Sequence, residues 1–310
     1  MGYHIISPNH EKERNTMDNF KKVIVFGGSG FLGSHVADSL TEQKYKVTIF
    51  DIKESPYLQD SQKMIVGDIL NQKQIDTAIL ENDIVYNFAG ISDIDECNDR
   101  PLDTIRYNIL GNAQLLASAA KNNITKYLFA SSAYVYSSSG SYYRISKQAS
   151  ELFVEAFAEE NKMDYTVLRY GSLYGDRADN RNSLHRIIET AVKDGKINYH
   201  GDGSETREYI HVKDAADLSV EALNKKYKNE ILMLTGTKSI KYRDLLLMIN
   251  EIFSDKIDIK MHAKKSKTHY KMSPYSFNPK MAKKLVSNPH IDLGQGILNL
   301  IEEIHSELIL

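Results

Sequence analysis

The stretch KKVIVFGGSGFLGSHVADSLTEQKYKVTIFD, residues 21–51, decides the fold of this chain. It begins with a short apolar, β-branched run that ends in glycine, which is typical of a buried parallel strand. FLGSHVADSLTEQ then has helical spacing, and YKVTIFD has the pattern of a second buried strand. A strand, a helix and a strand in this order predict a parallel βαβ unit with a right-handed crossover.

The same alternation continues beyond this unit. Four more strand-like runs follow, and helical stretches separate most of them: KMIVGD, DIVYNFAG, KYLFASS and MDYTVLRYG. The longest helical stretch is 101–123, and these apolar residues are expected on or near one face of it: Leu102, Ile105, Ile109, Leu116 and Ala120. The pattern predicts an α/β fold with a Rossmann-type, doubly wound parallel sheet, in which ligands bind beyond the carboxyl ends of the strands.

Three regions are predicted along the chain. Residues 1–20 are polar and aperiodic, and we expect a disordered N-terminal arm. Residues 21–172 carry the regular alternation, and we expect them to form the Rossmann domain, whose dinucleotide (NAD) site is argued from its motifs below. From 173 to 310 the pieces are shorter and richer in polar residues. We expect a smaller, mixed, mainly substrate-binding domain there, with some segments returning to the sheet.

Composition narrows the possible partners and the compartment. The chain has 310 residues and a formal net charge of −2, so neither nucleic acid nor an anionic membrane is expected to bind it. Its one cysteine, Cys97, cannot form an internal disulfide, and an inert thiol suits a reducing compartment. Because no apolar run has the length of a signal peptide or a membrane helix, a cytoplasmic location is expected. No metal site is predicted.

A glycine pattern and an acidic residue together predict a dinucleotide site. Gly27, Gly30 and Gly33 lie between the first strand and the first helix. Glycine there permits a tight turn and lets backbone N–H groups approach a pyrophosphate at the helix N-terminus. Asp51 ends the second strand, where a carboxylate can accept hydrogen bonds from the adenosine ribose. The same carboxylate would repel a 2′-phosphate, so NAD is favoured over NADP.

Three residues form a candidate catalytic set. Tyr143 and Lys147 are four apart in SYYRISKQASELF, and helical spacing places them on one face. The unperturbed pKa of tyrosine is about 10, but a nearby ammonium favours the phenolate. Such a pair can remove a hydroxyl proton while hydride leaves the same carbon. Ser132, at the end of the fifth strand, can hydrogen-bond the same hydroxyl.

A set of motifs occurs in one order along residues 22–223: GGSGFLGSH, Asp51, VGD with Asp68, YNFAG, Asn108, SSAYVY, Tyr143-x-x-x-Lys147, LRYGSLYG and REYIHVKDAA. In this set the chain resembles the extended short-chain dehydrogenase/reductase family. The similarity is greatest to its NAD-dependent sugar-nucleotide epimerase/dehydratase branch, with UDP-glucose 4-epimerase-like members. The ordered set is highly specific, although each motif alone is not.

The resemblance implies further cofactor contacts. It assigns NAD binding to the glycine turn, Asp51, Tyr143 and Lys147, and also to these residues: Phe31 and Leu32 in the turn, Asp68 and Ile69 around the adenine, Phe88, Ala89 and Gly90 along the central path, Asn108 in a supporting network, and Tyr170 near the nicotinamide.

The resemblance also implies the substrate contacts and the assembly. A nucleotide-diphosphate sugar would contact Ser92, Ser132 and Ser172, and Arg207 would hold its diphosphate, for which a guanidinium fork is well shaped. Segments 102–121 and 146–161 would pair between subunits as a four-helix bundle in a homodimer. Apolar residues beyond the needs of one sheet contact support this: Leu152, Phe153, Ala156 and Phe157.

The chain departs from the family pattern at several positions. Sugar-nucleotide 4,6-dehydratases have Asp-Glu where Ala133 and Tyr134 follow Ser132, so dehydration is disfavoured. The segment between Ser132 and Tyr143 is short, and Ser172 stands where many members have Asn. Many members also have a second phosphate-binding arginine in the C-terminal third, where this chain has only Arg243 beyond Arg207.

Four functions remain open from the sequence. The leading one is a nucleotide-sugar 4-epimerase that uses NAD at C4, in surface polysaccharide biosynthesis. A net dehydrogenase that releases the 4-keto sugar, for example from a GDP-hexose or GDP-heptose, would use the same three residues. A keto-sugar reductase is third. A dinucleotide-sensing protein would need the glycine turn but not the tyrosine–lysine pair.

Overall fold

A large parallel sheet organises this computed structural model, which describes residues 21–137, 139–262, 283–287 and 290–309. The predicted arm, 1–20, lies outside the described residues. The strands of the described part are β1 (Lys22–Phe26), β2 (Lys46–Asp51), β3 (Lys63–Val66), β4 (Ile84–Asn87), β5 (Lys126–Ser132), β6 (Asp164–Tyr170), β7 (Ser172–Tyr174), β8 (Lys196–His200), β9 (Thr206–His211), β10 (Glu230–Leu234), β11 (Ser239–Lys241), β12 (Asp258–His262) and β13 (Lys283–Leu285).

Helices connect most of these strands. The α-helices are α1 (Phe31–Glu42), α2 (Gln72–Ile79), α3 (Ile94–Asp99), α4 (Pro101–Thr104), α5 (Gly111–Lys121), α6 (Ser141–Asn161), α7 (Ser183–Asp194), α8 (Val212–Glu221), α9 (Tyr242–Ile252) and α10 (Leu293–Ile309). No helix in the described ranges is both long enough and apolar enough to span a membrane.

The large sheet has eight parallel strands in the order β13-β10-β6-β5-β4-β1-β2-β3. The strand order reverses beside β1, which pairs with β2 on one side and β4 on the other. The prediction of a doubly wound, Rossmann-type sheet is therefore confirmed. The reversal opens a crevice at the carboxyl ends of β1 and β4, where ligands bind in such sheets.

Alternation along the buried strands creates two cores. Val23 and Val25 of β1 pack with α1 and α8, whereas Ile24 and Phe26 pack with α2, α5 and α6 on the other face. Successive side chains of a strand point to opposite faces, so a continuously apolar strand needs helices on both sides. This explains why the strand sequences are continuously apolar and do not alternate between apolar and polar residues.

The second half of the chain divides between the sheet and a smaller body. α8, β10 and β13 lie with the large sheet. The smaller body contains a three-stranded sheet, β11-β9-β7, and the pair β12-β8. A third apolar core joins these elements to α7, α9 and α10.

The segment 101–121 differs from the single regular helix that its sequence predicts. A π-helical turn over Ile105–Leu110 separates α4 from α5 without a break in the chain of helical residues. A π turn takes an extra residue, which rotates everything after it by about 100°. Leu102 is consequently 74% exposed while Leu116 is fully buried, so the expectation of one shared apolar face is wrong.

Candidate active site

A single cavity of about 1540 Å³ runs from the carboxyl ends of the sheet strands into the smaller body. Asn108 is the one predicted site residue outside its wall. The predicted residues that line it are Gly27, Gly30, Phe31, Leu32, Gly33, Asp51, Asp68, Ile69, Phe88, Ala89, Gly90, Ser92, Ser132, Tyr143, Lys147, Tyr170, Ser172 and Arg207. Residues separated by up to 180 positions in sequence thus face one space.

The glycine turn forms a cradle that a side chain would fill. Gly27 has φ +77°, and a Cβ there would lie 2.6 Å from the Ala89 nitrogen. A Cβ on Gly33 would lie 2.2 Å from the Gly27 carbonyl oxygen, so α1 can start this close to β1 only with glycine. Gly30, the N-cap of α1, offers no capping side chain. The helix N-terminus therefore opens on the cavity as an anion site, and these residues fit a dinucleotide pyrophosphate.

Asp51 lies beside this turn at the end of β2. Its Oδ2 accepts a hydrogen bond from the Ser29 backbone nitrogen at 3.0 Å, which holds the carboxylate against the turn. A carboxylate at the edge of the cavity can accept hydrogen bonds from the two ribose hydroxyls of a bound dinucleotide. The position fits the predicted preference for NAD.

Asn108 supports the cavity from behind. Its Oδ1 accepts from the Ile91 nitrogen at 2.7 Å, and its Nδ2 donates to the Ile91 carbonyl and to Ser146 Oγ, both at 2.9 Å. A Cβ on Gly90, where φ is +142°, would lie 2.5 Å from Asn108 Oδ1. The π turn thus fixes the segment after β4 to α6, the helix that carries Tyr143 and Lys147.

Tyr143 and Lys147 lie one turn apart near the start of α6. Tyr143 is half-buried, and Lys147 is buried with its Nζ 5.9 Å from the centre of the Tyr143 ring. The Nζ also donates to the Ala130 carbonyl at 2.8 Å. Burial lowers the pKa of Lys147 to about 8, so the ammonium persists at neutral pH. A positive charge near the phenol is the arrangement that a tyrosine base requires.

Ser132 completes this part of the wall. It ends β5 and accepts a hydrogen bond from the Tyr134 nitrogen at 3.3 Å. Tyr134 itself lines the cavity, and its ring meets the Tyr143 ring edge-on at 6.1 Å. Ala133 is buried and does not line the cavity, so neither of the two positions that follow Ser132 carries the carboxylate that a dehydratase has there.

A buried ion pair beneath the site is not evident from the sequence motifs. Arg169 of β6 donates from Nε to Glu151 of α6 at 2.8 Å, and it also contacts Tyr136. Ser131 donates to the same carboxylate at 2.5 Å. Because Glu151 is one turn after Lys147, the cluster ties α6 to the ends of β5 and β6. A charged residue inside an apolar strand is the signal that could have revealed it.

Tyr170, which the family pattern places near the nicotinamide, lines the cavity at the end of β6. Its hydroxyl is hydrogen-bonded to Ser219 Oγ of α8 at 2.7 Å, and its ring lies 6.4 Å from that of Phe88. Burial raises the pKa of this tyrosine. It contributes part of the cavity wall, with its polar end held by the protein.

The far end of the cavity is formed by the smaller body. Arg207 of β9 is 8% exposed and donates from Nη1 to the Thr206 carbonyl at 3.0 Å. Tyr199 and Tyr242 stack there with ring centres 4.4 Å apart. Sequence reasoning missed this wall, including four residues of α7 spaced as one helical stripe: Ser183, Arg186, Ile187 and Thr190. Arg243, the arginine that the sequence left for a second phosphate contact, does not line the cavity.

Comparison with known proteins agrees with these features. Residues 23–234 match the model of the NAD dependent epimerase/dehydratase family. The chain is 26% identical over 301 residues to a putative UDP-glucose 4-epimerase from Methanocaldococcus jannaschii, covering 90% of this chain and 97% of that one. It is 26% identical over 239 residues to a UDP-N-acetyl-alpha-D-glucosaminuronate decarboxylase from Bacillus cytotoxicus, covering 68% and 74%.

Solved structures share the fold. A UDP-glucose 4-epimerase from Thermotoga maritima, solved with UDP-glucose, superimposes with a TM-score of 0.79 at 23% identity, covering 93% of this chain and 99% of that one. A UDP-glucuronic acid 4-epimerase from Bacillus cereus, solved with UDP-glucuronic acid and NAD, gives a TM-score of 0.77 at 22% identity, covering 92% and 99%.

Proposed function

The chain belongs to the NAD dependent epimerase/dehydratase family, and on that basis we propose that it is a 4-epimerase of a nucleotide-activated sugar. The observation that carries the proposal is one cavity that joins three features. First, the glycine turn with Asp51 fits a dinucleotide. Second, the catalytic set fits oxidation of an alcohol; its members are Ser132, Tyr143 and Lys147. Third, Arg207 offers a cation to a diphosphate. The family resemblance supports a place in surface polysaccharide biosynthesis.

The residues of this chain would share the work at C4 of the sugar. Bound NAD supplies the acceptor for the hydride and its later donor. Tyr143 removes the proton of the C4 hydroxyl, and the nearby Lys147 ammonium favours the phenolate form of Tyr143 that can act as this base. Ser132 hydrogen-bonds the same oxygen and orients it towards Tyr143. Return of the proton from Tyr143 completes reduction of the 4-keto sugar on its other face.

The residues after Ser132 favour epimerisation over loss of water. Elimination needs an acid and a base beside the reacting carbons. Neither Ala133 nor Tyr134 is one of the carboxylic residues that dehydratases have at these two positions. A 4-keto sugar formed here should therefore either take hydride back or be released from the protein.

The product mass distinguishes these outcomes. Purified protein would be incubated with a panel of UDP-, dTDP- and GDP-sugars, with and without added NAD, and the products separated and weighed. An isomer of unchanged mass supports the epimerase. A product lighter by two hydrogens with matching NADH formation would replace it by the dehydrogenase. Absence of any turnover across the panel would contradict the proposal.

We also propose that the protein is a homodimer through the α4–α5 and α6 surface. Leu102 and Ile105 are exposed at the start of the helical segment that contains the π turn, and α6 exposes Leu152, Phe153 and Ala156. Apolar side chains gathered on adjacent helices mark an interaction surface. Phe157, in contrast, packs partly against the core of its own chain.

A further inference from the structure

One face of α7 points into the substrate end of the cavity. Ser183, Arg186, Ile187 and Thr190 line the cavity, and their spacing of three, four and seven residues defines one helical stripe. The opposite face, with Leu184 and Ile188, is buried in the core of the smaller body. The direction of Arg186 is therefore fixed by the packing of its helix.

Arg186 brings a positive charge that the described protein leaves uncompensated. Its Nη1 donates to the Asn180 carbonyl at 2.7 Å, and within the described residues no carboxylate forms an ion pair with it. A guanidinium has five N–H donors in a planar fork, so several remain for a ligand. Two of the other three arginines on the cavity wall differ, since Arg100 pairs with Glu96 and Asp103, and Arg181 pairs with Asp179.

Arg186, Arg207 and Tyr242 all line the substrate end of the cavity. The ring of Tyr242 stacks there on that of Tyr199, which also lines the cavity. Burial raises the pKa of Tyr242, whereas the positive charges of Arg207 and Arg186 act in the opposite direction. A diphosphate bound at this end of the cavity would therefore have both guanidinium groups on its wall.

We propose that Arg186 is the second cationic ligand of the substrate's diphosphate, and that it acts together with Arg207. This assignment rests on the proposed function, because it takes a nucleoside diphosphate as part of the substrate. Arg186 would also take the place of the second phosphate-binding arginine that many family members have in the C-terminal third. This chain has only Arg243 there beyond Arg207, and Arg243 does not line the cavity. The cation comes from α7, earlier in the chain than Arg207, rather than from α9 or beyond.

The test compares nucleoside diphosphates with nucleosides. Calorimetric titrations would use UDP, dTDP and GDP, and then uridine, thymidine and guanosine, on wild-type protein and on Arg186→Gln. Loss of a charge-assisted contact should weaken the tightest diphosphate by about tenfold to a hundredfold. Nucleoside and NAD affinities should remain unchanged. Arg186→Lys should recover part of the loss, because an ammonium keeps the charge but not the fork.

Arg243→Gln is the matched control. Arg243 is also exposed, and it also donates to a main-chain carbonyl, that of Asp202, at 3.3 Å. It should bind diphosphates as the wild type does. A loss in Arg243→Gln with none in Arg186→Gln would overturn the assignment, and so would equal losses of diphosphate and nucleoside in Arg186→Gln.

The outcomes also separate this inference from the proposed function. Turnover of a nucleotide sugar together with unchanged diphosphate affinity in Arg186→Gln would overturn the role of Arg186 alone. A wild-type protein that binds none of the three diphosphates would overturn both. Circular dichroism and a melting curve for each variant would show that the comparison is between folded proteins.

Discussion

Tyr143 and Lys147 divide the chemistry between a phenol and an ammonium. Tyr143→Phe removes one hydroxyl and keeps the ring, which packs edge-on against Tyr134. General acid–base groups contribute about a hundredfold to ten-thousandfold to rate, so turnover should fall at least about a hundredfold. NAD affinity and melting temperature should stay close to wild type. Near-normal turnover in this variant would show that another group, with Tyr142 the first to be examined, is the base.

Burial of the Lys147 ammonium should lower the stability of the folded protein, although the same charge assists catalysis. Its pKa of about 8 lies below the ordinary 10.5 because burial disfavours the charge. Below pH 8 the folded protein therefore bears the full cost of this ammonium, and the cost is relieved as pH rises from 8 to 10.5. A 2.5-unit difference corresponds to about 3 kcal/mol.

Lys147→Met should consequently lose turnover without losing stability at pH 7. Urea unfolding at pH 7 and pH 9.5 would measure this. Relative to wild type, the variant should be more stable, with a larger free energy of unfolding, at pH 7 than at pH 9.5. A variant that is several kcal/mol less stable at pH 7 would mean that the bond to Ala130 outweighs the cost of burial.

Asp51 should set the preference for NAD. Asp51→Ala removes an acceptor of ribose hydrogen bonds, and a charge-assisted bond of this kind corresponds to about 1.5–3 kcal/mol. NAD should bind about tenfold or more weakly, and the preference over NADP should narrow, because the repulsion of a 2′-phosphate is gone. Fluorescence titration with both cofactors measures the two affinities. Tighter binding of NADP than of NAD by the wild type would contradict this role.

At the scale of elements, local hydrophobic pattern was sufficient for most of the sheet. The six strands predicted from apolar runs are β1–β6, and the helix after the glycine turn is α1. Most of these strands pair with a strand that is next to them in the sequence, the exception being the pair β1 and β4, so a local pattern carries much of the information. The motifs that end these strands could be assigned to one site for the same reason, since parallel strands bring their carboxyl ends together.

Other elements depend on contacts that no local pattern contains. The π turn depends on Asn108 meeting Ile91 and Ser146, which lie 17 and 38 residues away. The face of α7 that meets the cavity is chosen by packing against α10 and the smaller sheets. The Glu151–Arg169 pair joins a helix to a strand. These three features depend on contacts between segments that are distant in the sequence, so they could not be predicted from it.

The exposed surface of α6 should control assembly. Leu152→Glu would place a charge where two copies meet, and burial of an unpaired charge opposes association. Light scattering at micromolar concentration should give a dimer for wild type and a monomer for this variant. Leu247→Glu is the control, because Leu247 is also an exposed leucine on a helix, α9, but lies outside the proposed dimer surface. A wild-type monomer would contradict the dimer, and a Leu152→Glu dimer would move the interface elsewhere.

At the scale of the whole molecule, the cavity has two ends on different parts of the fold. The cofactor end rests on the large sheet, and Arg207 belongs to the smaller three-stranded sheet. The return of β10 and β13 to the large sheet could be anticipated only in general terms, since the two strands are far along the chain from their neighbours. Because β10 and β13 return to the large sheet, the cofactor end and the Arg207 end belong to one cavity.

The separation of the ends predicts a selective effect of Arg207→Ala. Loss of a bidentate, charge-assisted contact in a desolvated site should cost on the order of 2 to 4 kcal/mol, seen as a higher KM for the nucleotide sugar. NAD affinity should not change, because Gly27–Gly33 lie at the other end. Steady-state kinetics and NAD titration test this. A parallel fall in NAD affinity and melting temperature would instead assign Arg207 to folding.

The π turn at Ile105–Leu110 connects the cavity with the outer surface of one helical segment. Asn108 of the turn bonds to Ile91 and Ser146, while Leu102 and Ile105 of the same segment are exposed. Deleting one residue from the turn would shift Asn108 away from Ile91 and would also rotate the two parts of the segment relative to each other. One deletion should therefore disturb the support of the cavity and the proposed dimer surface together.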